Sequence, residues 1–314
     1  MKTEHEVHAK HGHHDGHGHH DHHGKHAHGK KKRKRRSQLV QIWKRMLKNR
    51  VSMVGLIMLA VIILLVCLAP VIAPYDPNAM DFGALNAGPS AAHWFGTDNL
   101  GRDILSRLLW GGRSSLALGF ICAGFGLAIG VAFGSLVGYA GKSVDMVVMR
   151  LCDVLSSIPG MLMAVLISTA LGTGFFNTIL AMSAGGIPNT IRGSRAMALK
   201  EREMEYLEAA KAMNCSKAKI VFRHMVPNII SPSIVGTTMM IGHSITSAAS
   251  LSFVGLGIQP PDAEWGAMLS GAKNFMLNYP HEVLFPGIAI LITVLATNMI
   301  GDGLRDALDP RLKD

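Results

Sequence analysis

Charge is scarce over most of this chain: 17% of its 314 residues are charged, 6% are aromatic, and only four are cysteine. Each shortage removes a class of protein. A soluble domain of this length spreads its Asp, Glu, Lys and Arg over the surface, whereas here they cluster and leave long uncharged gaps. Cys67, Cys122 and Cys152 fall in apolar stretches and Cys215 in a polar one, with no pair at redox or zinc-site spacing, so the thiols read as small packed side chains. Beyond residue 28 the only histidines are His93, His224, His243 and His281, each isolated and read as structural or loop residues. No nucleophile, general base or metal constellation of an enzyme is visible. Gly141-Lys142-Ser143 looks like the end of a phosphate loop, but Leu136 stands where the first glycine is required. An apolar stretch precedes it instead of a strand, so its amides would not cradle phosphate.

What the chain has in abundance is apolar length. Stretches at about 51–73, 114–140, 147–171, 175–195, 230–257 and 283–303 each approach the ~20 residues a helix needs to cross ~30 Å of hydrocarbon. Six transmembrane helices are therefore expected in an all-α integral membrane protein. Lys and Arg are retained on the cytoplasmic side during insertion. With the N-terminus inside, only Arg102, Arg107, Arg113 and Lys273 of the 31 basic residues lie outside. Both termini are thus read as cytoplasmic, and the segment 74–113 as the first outside loop. In that loop Asp98 is available to cap a short helix running through Trp110. Asp145, Arg150 and Asp153, and Asp302, Arg305, Asp306 and Asp309, form two charged clusters. Their place at the cytoplasmic edge argues against a proton relay, which needs ionisable groups at mid-depth. Gly126, Gly130, Gly134 and Gly138 repeat every four residues in the second span, leaving a face on which another helix approaches closely.

Three regions follow: a tail over 1–36, an amphipathic helix over 37–50, and a transmembrane domain over 51–314. Residues 1–28 hold 12 of the 16 histidines; His11, His13, His14, His17, His19, His20, His22 and His23 belong to the dense part. Such a segment cannot bury a core, and its imidazoles suit nickel, zinc or copper without selecting among them. Metal buffering and a polar tail with incidental affinity both remain open readings. The basic run Lys30–Arg36 precedes a membrane span, so it reads as an anchor to anionic lipid rather than a nucleic-acid site. From Ser37, the residues Leu39, Ile42, Trp43, Met46 and Leu47 follow helical spacing, with Lys44, Arg45, Lys48 and Arg50 on the remaining face, as in an interfacial helix.

A polar island interrupts the apolar pattern between residues 201 and 228. Glu201–Met213 is rich in helix formers, and Asn214 can close that helix in a left-handed conformation. Ser216 can cap a second helix bearing Ile220, Val221 and Met225, which Pro227 is expected to end. Helix, turn and helix together make a docking knob at the membrane surface.

The spacing of Tyr206, Glu208, Ala209, Ala210, Asn214, Ile220, Pro227 and Asn228 resembles the coupling loop of ABC importer permeases, where glycine is usual at the position of Asn214. Gly96-Thr97-Asp98, followed by Gly101-Arg102-Asp103, is similar to a stretch of dipeptide, oligopeptide and nickel importer permeases. Glu264-Trp265-Gly266 and the run Gly301–Arg311 are similar to the same family, and the resemblance covers roughly 40–314. It implies a C-type permease of the MetI-like fold in a bacterial inner membrane. It also implies a heterodimer with a homologous permease, two cytosolic ATPases that dock on the 206–228 island, and an outside binding protein. ATP and magnesium would sit on the ATPases, with no cofactor bound by this chain beyond nickel or zinc at the His-rich tail. The implied function is import of di- or oligopeptides, with nickel or a nickel chelate as the alternative cargo. A carrier working without an ATPase is the competing class.

Overall fold

The computed structural model describes Trp43 and residues 45–308. The His-rich tail, its candidate metal ligands and the basic run lie outside the described residues, as do Asp309 and the residues after it. Among the described residues every regular element is helical, and the sole strand-like feature is an isolated bridge between Thr97 and Asp103. Trp43 and residues 45–48 are helical and break at Asn49. The Asn49 Oδ1 accepts from the amides of Val51 and Ser52, at 3.0 and 3.4 Å, and so caps α1, Arg50–Cys67. After a single turn, α2 (Ala69–Ile72), the chain forms the loop over 73–103 and then α3 (Ile104–Ala140), α4 (Lys142–Ser156), α5 (Gly160–Leu171) and α6 (Phe175–Arg202). The island contains α7 (Glu205–Ala212) and the turn α8 (Lys217–Lys219). A π-helical turn, Ile220–Met225, then leads into α9 (Val226–Phe253), followed by α10 (Trp265–Ala272) and α11 (His281–Leu308).

Among the described residues, four stretches are long and apolar enough to cross a membrane: Arg50–Cys67, Ile104–Ala140, Lys217–Phe253 and His281–Leu308. The expected straight span over 147–171 is instead two helices, α4 and α5, meeting at 83°. Pro159 accounts for the break, because it disfavours helical geometry in the residue before it and cannot donate to the preceding turn. The bent pair together has the length of a fifth span. α6 is 28 residues long, yet its second half carries Arg192, Arg195, Lys200 and Arg202, and it is not among the apolar helices.

The loop over 73–103 differs from expectation at its end. Asp103, not Asp98, caps the following helix, its Oδ2 accepting from the Ser106 amide at 2.8 Å. That helix is the continuous 37-residue α3 rather than a short one. Asp98 is occupied in a tight turn, accepting from the amides of Leu100 and Arg102.

Three of the four glycines in the α3 stripe pack as their spacing implies, while at Gly126 a Cβ would meet only Thr190 Cγ2 at 3.9 Å. A Cβ on Gly130, Gly134 or Gly138 would lie 2.5–2.7 Å from the Cβ of Thr190, Ser194 or Ala198 on α6, so the two backbones meet without intervening side chains. The same device recurs where Gly119 meets Ile245 of α9, Gly55 meets Met299 of α11, and Gly242 meets Thr297. Large apolar side chains that find no place between the helices remain on the outside. On α1 these include Val54, Ile57, Val61 and Leu64, and on α4 and α5 Val147, Leu151, Val154, Leu162 and Leu166. A surface of this kind is stable against hydrocarbon or another apolar chain and not against water.

Replacing Gly134 by Ala should destabilise the detergent-solubilised protein by about 1–3 kcal/mol, the usual cost of overpacking. Gly124→Ala, where a Cβ meets nothing within 4 Å, should be neutral or slightly stabilising. Thermal unfolding of both variants beside the parent measures the difference, and equal behaviour would remove the α3–α6 stripe as the reason for the glycines.

Candidate functional site

The island is closed by a Schellman motif. Asn214 adopts φ +55°, its amide donates to the Lys211 carbonyl at 2.9 Å, and the Cys215 amide reaches back to the Ala210 carbonyl at 3.1 Å. These bonds satisfy carbonyls that the end of α7 leaves free, and Asn is among the few residues that reach this geometry cheaply. The expected first helix, Glu201–Met213, is interrupted: α6 stops at Arg202 and α7 begins at Glu205, with Glu205 and Glu208 in its first turn facing the positive end of the helix dipole. Ser216 caps the second helix, its Oγ accepting from the Lys219 amide at 3.4 Å.

Pro227 does not end that helix. It lies in the first turn of α9, directly after the π turn Ile220–Met225, and the chain runs on to Phe253. The proline has no N–H to give to the preceding turn, and the wide π geometry, in which Val226 donates to Val221, absorbs the defect. The island therefore feeds directly into a membrane-length helix, a connection that the sequence pattern concealed.

Leu207, Ala210, Ile220, Met225 and Ile229 are buried against Val131 and Ala198, which seats the island on the ends of α3 and α6. A polar network ties its two halves together: the Tyr206 hydroxyl donates to Glu201, and the Asn228 side-chain amide donates to Tyr206 at 2.8 Å and to the His224 carbonyl at 3.0 Å. Desolvation, helped by the Glu201 carboxylate, pushes the Tyr206 phenol up to about 12, so it remains a donor throughout the physiological range. Ala210 and Ile220 are thus support. Tyr206, Glu208, Ala209, Asn214, Pro227 and Asn228 are exposed. Around them stand Met213, 73% exposed, and Phe222, 51% exposed. Apolar side chains held outward on a rigid base, beside charged ones, are suited to meeting another protein.

At the opposite end of the helices, the Gly96–Asp103 segment is a folded knot. Gly96 and Gly101 have φ +79° and +73°, and a Cβ at either would come within 2.4 and 1.9 Å of the carbonyl oxygens of Ala87 and Asp81, so glycine is required at both. The Thr97 hydroxyl accepts from the Ala87 amide and donates to the Ala84 carbonyl. Asp103, almost fully buried, binds His93 Nδ1 at 2.9 Å and the Ser106 hydroxyl at 2.7 Å. Arg102 pairs with Asp98 at 2.7 Å. Asp98, Arg102, Arg107 and the buried Glu282 of α11 surround a cavity of about 30 Å³; both guanidiniums lie against Asp98, Arg107 at 3.7 Å, while neither carboxylate oxygen of Glu282 has a hydrogen-bond partner among the described residues. Glu264 continues the frame: it caps α10 through the Ala267 amide and accepts from Ser115 of α3, while Trp265 Nε1 donates to the Leu108 carbonyl. These contacts make the 96–103 segment architectural, a rigid platform at the end of the helices opposite the island.

Between the two ends lies a cavity of about 750 Å³, walled by the α4–α5 bend, α6 and α9. Asn189 and Arg192 reach it from α6, and His243, Ser244 and Ser247 from α9. Charged groups are therefore not confined to the helix ends. Arg192 Nη2 donates to Asp153 at 2.9 Å, and Arg195 binds Asp145, so the α4 carboxylates reach across to α6, while Asp153 also keeps its expected partner within the cluster, Arg150 at 3.9 Å. His243, expected to be structural, is exposed on the cavity wall. The signal that could have found the cavity was Asn189 at the centre of an otherwise apolar stretch, followed three residues on by an arginine.

A helical membrane body with a folded platform at one end, an exposed island at the other and a polar cavity between them is the architecture of a transport permease. Residues 130–314 match the family model described as binding-protein-dependent transport system inner membrane component, and residues 37–89 match the N-terminal transmembrane domain of oligopeptide transport permease C. The chain belongs to the family of binding-protein-dependent transport system inner membrane components. It is 44% identical over 274 residues to the glutathione transport system permease protein GsiD of Pectobacterium atrosepticum, covering 87% of this chain and 91% of that one. It is 45% identical to the protein of the same name from Escherichia coli, with 87% and 90% covered. Two inward-facing crystal forms of the MetNI methionine ABC transporter share the fold at 20% identity. Their TM-scores are 0.50 and 0.53, with 65% and 64% of this chain covered and 97% and 96% of theirs.

Two substitutions probe these local structures. Asp103→Ala removes a helix cap and a histidine partner together, and should lower stability by about 1–2 kcal/mol in thermal unfolding. Asn214→Gly should fold as well as the parent. Asn214→Val, forced to positive φ, should lose about 1–2 kcal/mol, and equal stability of the two would show that the turn does not need its left-handed residue.

Proposed function

We propose that this chain is one transmembrane subunit of an ATP-driven importer of di- and oligopeptides, with glutathione-like tripeptides among the cargo. The observation that carries the coupling is the exposed island surface around Glu208, Ala209, Met213 and Phe222, seated rigidly on α3 and α6 and continuous through a π turn with α9. An ATPase gripping this knob would deliver its movement to the helix that forms one cavity wall. Such a contact does work only if it differs in strength between nucleotide states.

The finer assignments belong to the same reading. Six spans are counted by taking α4–α5 as one crossing and α6 as another. Both termini and the island face the cytoplasm of a bacterial inner membrane, as the Lys and Arg distribution favours. Residues 37–50 lie along the inner surface. A homologous permease covers the exposed apolar helix faces, two ATPases supply ATP hydrolysis, and a binding protein delivers cargo to the platform of Gly96, Thr97, Asp98, Gly101, Arg102 and Asp103. The tail histidines would bind nickel or zinc on the receiving side; only their density in residues 1–28 supports this. That tail is also the one feature favouring nickel as cargo, whereas the similarity to glutathione permeases favours peptides.

The test is uptake of labelled tripeptide and of labelled nickel in cells with and without the chain. Peptide uptake should depend on it and nickel uptake should not. Glu208→Lys and Ala209→Asp should reduce peptide uptake at least about tenfold, the equivalent of ~1.4 kcal/mol of lost contact, while membrane abundance stays at the parental level. Uptake unaffected by either variant would dismiss the island as the coupling surface.

A further inference from the structure

We propose that the mid-bundle cavity carries a carboxylate-binding subsite made by Arg192 and His243, with Asn189 and Ser247 as neutral hydrogen-bond partners, which holds the C-terminal end of a peptide in passage. This rests on the peptide-importer reading above. The cavity volume, about 750 Å³, falls inside the range of roughly 300–1,000 Å³ that small-molecule sites occupy. Its position matters as much as its size. Asn189 lies at the centre of α6, and His243 stands well inside α9, away from both helix ends. Polar side chains at that depth are costly in a membrane helix unless they serve a function.

The chemistry of the wall has a definite sign. None of the residues lining the cavity is Asp or Glu, whereas Arg192 is a permanent cation and His243 can become one. Asp153 engages Arg192 through a single bond to Nη2, and the remaining guanidinium donors have no protein acceptor among the described residues. His243 makes only a long 3.5 Å approach to the Ser247 hydroxyl, so its ring is poised without being consumed. An arginine held from one side and open on the other presents the paired donors that a planar carboxylate accepts.

The wall is also built to keep the space open. A Cβ on Gly185 would sit 3.1 Å from the Gly160 carbonyl oxygen, so the α4–α5 bend rests directly on α6 backbone. Gly185, Gly186 and Gly160 contribute no side chain to fill the cavity they border. Pro188, one turn below, removes an amide that would donate to the preceding turn of α6.

The experiment compares uptake of labelled trialanine with a free C-terminal carboxylate and of its C-terminal amide, in cells carrying the complete transporter with the parent chain, Arg192→Gln, Arg192→Lys, His243→Ala or the Arg192→Gln/His243→Ala pair. The quantity read is the ratio of the two uptake rates, so the selectivity of an unchanged binding protein divides out between strains. In the paired variant the ratio should fall about tenfold, as expected for loss of charge-assisted hydrogen bonds, and Arg192→Lys should recover part of it. If both peptides slow equally, or the ratio is unmoved, the subsite is refuted while the importer reading stands. If the parent chain imports neither peptide, the importer reading fails and the subsite with it. Immunoblotting of membranes identifies a variant that fails to assemble; should Arg192→Gln be lost in this way, His243→Ala and Asn189→Ala carry the same ratio test.

Discussion

The backbone contact between α3 and α6 is the constraint on which the rest of the structure depends. Gly130, Gly134 and Gly138 bring α3 against Thr190, Ser194 and Ala198 with no side chain between. Inside a membrane, apolar side chains gain little by leaving lipid for one another, so close packing must supply the attraction that water supplies elsewhere. The contact sets α6 in place, and with it Asn189 and Arg192 on the cavity wall. It also positions Val131 and Ala198, the floor on which the island sits. Cavity and docking surface therefore share one support.

That shared support supplies a physical route for the proposed coupling. The island is not a loose loop: Leu207, Ile220 and Met225 are buried in its base, and Tyr206 and Asn228 lock its two halves. Its second half passes into α9 through the π turn, a geometry with unpaired backbone capacity that proteins use where a helix must yield. Force applied at Met213 or Phe222 has a continuous path to His243, while the opposite end of α9 is held by Gly266 of α10 packed on the Ala249 backbone.

The platform at the opposite end shows the complementary strategy. Most of its charged residues are paired or capped: Arg102 with Asp98, Asp103 with His93 and Ser106, Glu264 with Ser115 and the Ala267 amide, Glu282 being the exception. Such groups cost little once each finds a partner, and together they make a surface that does not deform. Residues quoted as a motif in the sequence thus turn out to be scaffolding. The polar residues of the cavity wall, Asn189, Arg192 and His243, form no motif at all.

The sequence by itself determined the helical class, the glycine face of α3, the island with its left-handed Asn214 and Ser216 cap, and the kinship of the chain. All of these arise from local chemistry: hydrophobic length, residues three or four apart, and single-residue backbone preferences. Only the tertiary structure decided the bend at Pro159, the passage of the island through Pro227 into α9, the assignment of the α3 cap to Asp103, and the pairing of Asp145 and Asp153 with α6. It alone assembled the cavity, because Asn189, Arg192 and His243 come from two helices separated in sequence by the whole island. A proline can stop a helix or begin one, and a carboxylate can cap or pair. Which it does is settled by what stands opposite, and that lies beyond the reach of local pattern.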